Sequence, residues 1–340
     1  MAEALAGFLG EAQTSLDVAL YDLRLPPPLA DTVVGALVAA SRRGIAIRLA
    51  YNLDHAKVLP PPPQAEPEQV EALPVPTRGI PGVPDLMHHK YVVRDRETVW
   101  TGSTNWTEDS WTREENAIVT VRSTGLANAF TADFEQLWET REVSKTGRVG
   151  SDPIRIGDAT VSPWFCPGHG ERLAHRIAHA IGSARRRIRI ASPVITSGPI
   201  LGTLAQVASD GRVDLAGVVD ATQVAEVVHQ WRANGNSPWK EPTLRAVLSR
   251  APFTGKHSTP YAPGAVHDYM HAKVTVADDT SFVGSFNLSH SGELNAENVL
   301  EIEDGGLAAQ LAAYVDTVRA RYAPVELPEP APAAPPAPRV

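Results

Sequence analysis

Cysteine is nearly missing from this chain: Cys166 stands alone among 340 residues. No intrachain disulfide can staple the fold, and nothing argues for an oxidising compartment. A lone thiol of this kind is most simply a small buried hydrophobe. Long apolar runs are missing too, since no stretch reaches the roughly 20 residues of a membrane-crossing helix. That excludes an integral membrane span. A basic excess is the third absence, because 31 Lys and Arg against 39 Asp and Glu leave a net charge of -8. Sequence-independent nucleic-acid binding draws on cationic surface, which this composition does not favour. The densest basic run, Arg185-Arg186-Arg187 with Arg189, falls at a predicted helix end, where cations meet the helix dipole favourably. His175 and His179 have helical spacing but lack the Glu of a His-Glu-x-x-His zinc motif, so neither a metal nor another cofactor is expected.

What is present is a duplication. The pattern His-x-Lys-x-x-x-x-Asp occurs as His88, Lys90 and Asp95 and again as His271, Lys273 and Asp278. Each copy opens on Met-His and runs into a turn, Gly102-Ser103-Thr104-Asn105 or Gly284-Ser285-Phe286-Asn287. Each closes on Glu-Asn, at Glu115-Asn116 and Glu297-Asn298. The residues after each Lys are apolar and β-branched, which predicts a buried strand. Alternate side chains of a strand share a face, so His88 points with Lys90 and His271 with Lys273. Lys offers fixed positive charge to a phosphate oxygen, while His can attack phosphorus or carry a proton near neutral pH. Ser103, Asn105, Ser285 and Asn287 are expected to add neutral donors to the same oxygens. Asp95 and Asp278, at an odd offset from the His, fall on the opposite strand face and are read as structural.

These residues resemble the phospholipase D superfamily, phosphodiesterases with a paired His-Lys-Asp motif, and the resemblance spans nearly the whole chain in two halves. In-line displacement needs an attacking group and a proton donor on opposite sides of phosphorus. Two half-sites about a pseudo-twofold axis supply both. The resemblance implies a phosphohistidine intermediate on one His and acid-base work by the other; His88 is assigned as nucleophile and His271 as acid, although symmetry alone does not separate them. Lys90 and Lys273 would clamp the equatorial oxygens. Glu115 and Glu297 match the acidic residue that in this family orients the imidazole through its second nitrogen. His89, His169, His229, His257, His267 and His290 are expected to be ordinary, His89 because the second copy has Ala272 there.

The expected fold class is α/β: two phospholipase D-like repeats, residues 1–145 and 153–323, each a mixed sheet flanked by helices, with one shared active site. Residues 144–152 read as the link and 324–340, rich in Pro and Ala, as a disordered tail. Strand, helix, strand units recur at 16–51 and 188–219. Each half then carries an insert before its motif strand, His55–Leu86 with the run Pro60 to Pro63, and Val224–Val266; both should rim the cleft. The second half has an extra strand, Ala159–Phe165, without a counterpart in the first. A matching strand, and any signal peptide, would then precede Met1, making the protein secreted; as the sequence stands it reads as soluble and cytoplasmic, and as a monomer carrying both motifs. Two substrates compete, a phospholipid headgroup phosphodiester, which is favoured, and a DNA or RNA phosphodiester cleaved without metal. Trp106, Trp111 and Trp239 could stack on bases, meet acyl chains or lie in the core.

Overall fold

The computed structural model describes residues 1–53, 67–235, 237–262 and 264–329. The first half holds β1 (Ser15–Leu20), β2 (Leu23–Arg24), β3 (Ala46–Leu53), β4 (Thr77–Pro81), β5 (Lys90–Arg94), β6 (Thr98–Gly102), β7 (Trp106–Thr107) and β8 (Ile118–Arg122). The second holds β9 (Ile154–Ile156), β10 (Ala159–Cys166), β11 (Arg187–Ala191), β12 (Asp214–Asp220), β13 (Phe253–Lys256), β14 (Val274–Ala277), β15 (Thr280–Gly284) and β16 (Glu297–Glu303). One sheet runs β4-β3-β1-β5-β6-β8 and the other β13-β12-β11-β14-β15-β16-β10-β9. The core order is the same in both. Within each, the first strand pairs parallel with the strand after the crossover helix and antiparallel with the motif strand. These are the mixed, helix-flanked sheets of the expected α/β fold.

Two long helices start at side-chain caps. Ser123 accepts the Leu126 N–H at the start of helix Thr124–Thr140, and Asp304 accepts the Leu307 N–H at the start of Gly305–Arg319. Both turn an apolar face into one core that joins the halves, where Phe130 meets Tyr91 of β5 and Phe165 of β10. The outer faces are covered separately. Helices Ala2–Gly10 and Pro27–Arg42 close the first sheet, and Gly170–Ser183, Gly198–Asp210 and Lys240–Arg250 close the second.

The edges differ. The second sheet continues past β16 into β10 and β9, whereas β8 ends the first with only partly buried side chains. Of the first insert, the run Pro60 to Pro63 lies outside the described residues. Its described remainder is a short helix, Pro67–Glu71, and the edge strand β4, where the proline of Pro81 costs no central ladder bond. The second insert folds as helices Ala221–Asn234 and Lys240–Arg250. The expected tail needs a correction over 324–329. Val325 donates to the Phe253 carbonyl and packs on the second core, and the Arg232 guanidinium donates to the Glu329 carbonyl at 2.7 Å. Backbone pairing and apolar burial there outweigh the composition.

Candidate active site

Each motif strand begins just after its histidine, and the other repeat supplies the backbone that holds it. The His88 N–H donates to the Ala296 carbonyl at 2.9 Å, and the His271 N–H donates to the Glu115 carbonyl at 3.1 Å. The preceding N–H groups are held alike, Met87 by Asn52 Oδ1 and Met270 by Asp220 Oδ2, both at 3.0 Å. Each lysine turns back on its own motif: Lys90 Nζ donates to the His88 carbonyl at 2.6 Å, and Lys273 Nζ to that of His271. Lys90 also lies 4.7 Å from the Tyr21 ring centroid. The motif is therefore assembled from both halves.

The cluster is buried and crowded with cationic groups. Burial, then Lys90, then Lys273 hold the His88 imidazole well below its ordinary pKa. Burial, Lys273, Lys90 and His88 do the same to His271. Desolvation pulls Lys90 down to about 7 and Lys273 well down. Burial lifts Glu297 to about 7. Each half thus feels the charge of the other, and the site stands ready for an anion that would offset the two ammonium groups.

Asp95 and Asp278 sit at the turns after the motif strands, both with left-handed backbone, φ 56° and 54°. Asp95 accepts the N–H groups of Gln13, Thr14 and Ser15, and Asp278 those of Arg185, Arg186 and Arg187. Partial burial raises their pKa values, but these bonds outweigh it and both stay below the usual carboxylate range. They lie away from the histidines.

Two sequence expectations change. Ser103 and Ser285 are fully buried and hold the turns rather than a substrate. Their hydroxyls accept the Ala117 and Asn298 N–H groups at 3.0 Å, and Ser103 donates to Asn116 Oδ1 at 2.6 Å. Asn105 and Asn287 remain partly exposed, with side-chain carbonyl oxygens that have no hydrogen-bond partner among the described residues.

Second, Glu297 reaches His88, its two carboxylate oxygens 2.8 and 2.9 Å from Nδ1, but Glu115 does not reach His271. It binds Lys256 Nζ at 2.7 Å and the Tyr322 hydroxyl instead. The groups on His271 Nδ1 are Asn116 Oδ1 at 3.1 Å and Glu114 Oε2 at 3.3 Å. The cause is an inserted residue. Ala117 lies twelve residues after Asn105, but its counterpart Asn298 lies only eleven after Asn287. Glu115 and Glu297 both follow their Ser by twelve, so equal spacing hides a slip of one, which turns a side chain to the other face.

His89, expected to be ordinary, is fully buried and structural. Its Nε2 lies 3.1 Å from Asp133, out of line for a hydrogen bond, and its Nδ1 lies 3.2 Å from the Asn298 amide. It stitches the halves together, a role its missing counterpart at Ala272 concealed.

A groove of about 530 Å³ is lined by Thr222, Gln223, Trp231, Lys240, Tyr269 and Asn287 among others. Its walls come largely from the second insert. Trp106 is buried in the first core and cannot stack on a base, Trp111 donates to the Asn105 carbonyl at 2.8 Å, and Trp239 is exposed. Two arginines of the basic run form ion pairs, Arg186 with Asp279 and Arg189 with Asp214 and Asp316. His175 and His179 are exposed on the outer helix.

A sequence signature of the family described as cardiolipin synthase, PLD-like domain, matches residues 5–138 and 177–319. The chain belongs to the phospholipase D superfamily. This phospholipase D-like chain is similar to cardiolipin synthase A of Edwardsiella ictaluri (strain 93-146), with 28% identity over 339 residues that cover 91% of this chain and 65% of that protein. It is also similar to the mitochondrial cardiolipin hydrolase of Xenopus laevis, 29% identical over 128 residues, 38% of this chain and 56% of that one. It thus spans between about half and two thirds of the length of these relatives. Among solved structures, the phosphatidylserine synthase of Haemophilus influenzae Rd KW20 matches over 94% of this chain and 83% of its own, with a TM-score of 0.65 and 12% identity. That likeness concerns the fold. Within the described residues no helix is long and apolar enough to cross a membrane.

Proposed function

We propose that the protein exchanges the headgroup phosphodiester of a phospholipid, with water as the main acceptor and small alcohols as competitors. The observation that carries this is the pairing of His88, backed by the Glu297 carboxylate, with His271 and two lysines in one buried cluster. Glu297 fixes the Nδ1–H tautomer of His88 and leaves Nε2 free to attack. The bond from phosphorus to the headgroup oxygen breaks as the bond to Nε2 forms, and His271 gives its proton to the departing oxygen. His271 then takes a proton from water or an alcohol, whose oxygen displaces His88 from phosphorus. Lys90 and Lys273 stabilise the charge spread over the equatorial oxygens throughout. No metal is required for these steps.

The lipid reading is favoured over the nuclease reading for two reasons. The sequence relatives named above are, by name, cardiolipin enzymes. Two arginines of the basic run that might have followed a nucleic-acid backbone, Arg186 and Arg189, are paired with Asp279, Asp214 and Asp316. Hydrolase and synthase differ only in which oxygen accepts the phosphatidyl group. Vesicles of phosphatidylglycerol, cardiolipin or phosphatidylcholine, incubated with the protein in dilute ethanol, test the reading. Release of the headgroup together with phosphatidylethanol is expected. Cleavage of DNA or RNA with no lipid product would replace it by the nuclease.

A further inference from the structure

The two halves orient their histidines unequally. On His88 a single carboxylate does the work, both oxygens of Glu297 lying within 2.9 Å of Nδ1. On His271 the matching place is taken by Asn116: the backbone bonds that set Glu115 opposite Ala296, and Ala117 opposite Asn298, set Asn116 opposite Glu297. An amide oxygen can accept from Nδ1–H and so fix the tautomer, but it carries no charge to stabilise the imidazolium. Glu114 stands directly behind it. Its Oε2 is 3.3 Å from His271 Nδ1 and 3.2 Å from Asn116 Nδ2, and it accepts the Ser110 hydroxyl at 2.5 Å. Its side chain is only 3% exposed, an environment in which a carboxylate acts at full strength.

We infer that Glu114 is the positioning carboxylate of His271, and that the task Glu297 performs alone is divided in the other half between Asn116, which fixes the tautomer, and Glu114, which supplies the charge. Glu115, the residue that motif spacing points to, is a clamp. Through Lys256 and Tyr322 it ties the loop bearing Glu114 and Asn116 to the second half. The inference rests on the proposed reaction for its kinetic test but not for its geometry. The charged and titratable groups facing His271 are Lys273, Lys90, His88 and His267, all of which oppose its protonation. Glu114 feels Lys273 and Lys256, while burial raises its own pKa. Glu114 and the diester anion are then what hold the acid form of His271.

The isosteric Glu114→Gln removes charge and keeps shape. On phosphatidylglycerol vesicles it is expected to lower kcat about 10- to 100-fold, less than the roughly 10² to 10⁴ lost when acid-base assistance is removed altogether. It should also move the alkaline limb of the kcat profile to lower pH by about a unit, since the imidazolium is less stabilised. Glu115→Gln should leave that limb in place. Adding Asn116→Asp to Glu114→Gln puts a carboxylate where Glu297 stands in the other half and should recover most of the rate and the limb. The His271 titration, followed by NMR in saturating inorganic phosphate, should drop by a similar amount in Glu114→Gln, and this readout needs no turnover. Should the wild-type chain fail on phospholipid while that titration shifts, the lipid reading falls and this inference stands. An unmoved titration or pH limb in Glu114→Gln, or the same shift in Glu115→Gln, would overturn it.

Discussion

At the residue scale, the two histidines supply steps that neither can perform alone. His88→Ala and His271→Ala should each remove at least about 10² to 10⁴ of turnover, measured as headgroup release. Near-full activity in either variant would break the shared-site account. The pH dependence follows from the directions of the shifts. His88, depressed by burial and by the lysines, is already neutral at pH 7, so the acid limb of kcat/KM should lie well below 6.5. Lys90, pulled down to about 7 by desolvation, loses its charge as pH rises through that value. The alkaline limb of kcat/KM should therefore start near neutrality, while kcat, read with the anionic substrate bound, should hold to higher pH. Because the groups interact, the limbs belong to the cluster. A kcat/KM still rising at pH 10 would contradict this assignment. His89 acts on stability instead. His89→Ala leaves the Asn298 side-chain amide short of a partner in the core and should cost about 1–3 kcal/mol, visible as a lower denaturation midpoint.

At the scale of elements, the motif strands and their lysines were legible because strand alternation is local, whereas Asp95 and Asp278, read as strand residues, lie at the turns that follow. The carboxylate partner of His271 was not legible. It depends on the register of the loop from Asn105 to Ala117 against the other half, and one extra residue there changes which side chain faces the imidazole. Ser103 and Ser285 were misread for a similar reason, since a hydroxyl at a turn serves substrate or backbone according to contacts the sequence does not list. The Asp95 carboxylate, which accepts three successive N–H groups, gives a separate test. Asp95→Ala should destabilise the first half by about 1.5–3 kcal/mol while leaving the pH profile of the surviving enzyme unchanged.

At the scale of the whole molecule, internal duplication made the two-repeat α/β architecture readable, and the same core strand order recurs in both sheets. What duplication could not convey is where the halves diverge: the helical second insert walling the groove, and the docked stretch 324–329. The charge stabilisation assigned to Lys90 and Lys273 predicts full turnover after exhaustive EDTA dialysis; loss restored by zinc or magnesium would place a metal in the reaction. The most direct measurement is mass spectrometry of acid-free, rapidly quenched wild-type protein during turnover of phosphatidylglycerol vesicles. A single phosphatidyl adduct on His88, absent from His88→Ala, is the predicted result. No adduct in the wild-type protein, or an adduct on His271, would contradict the account.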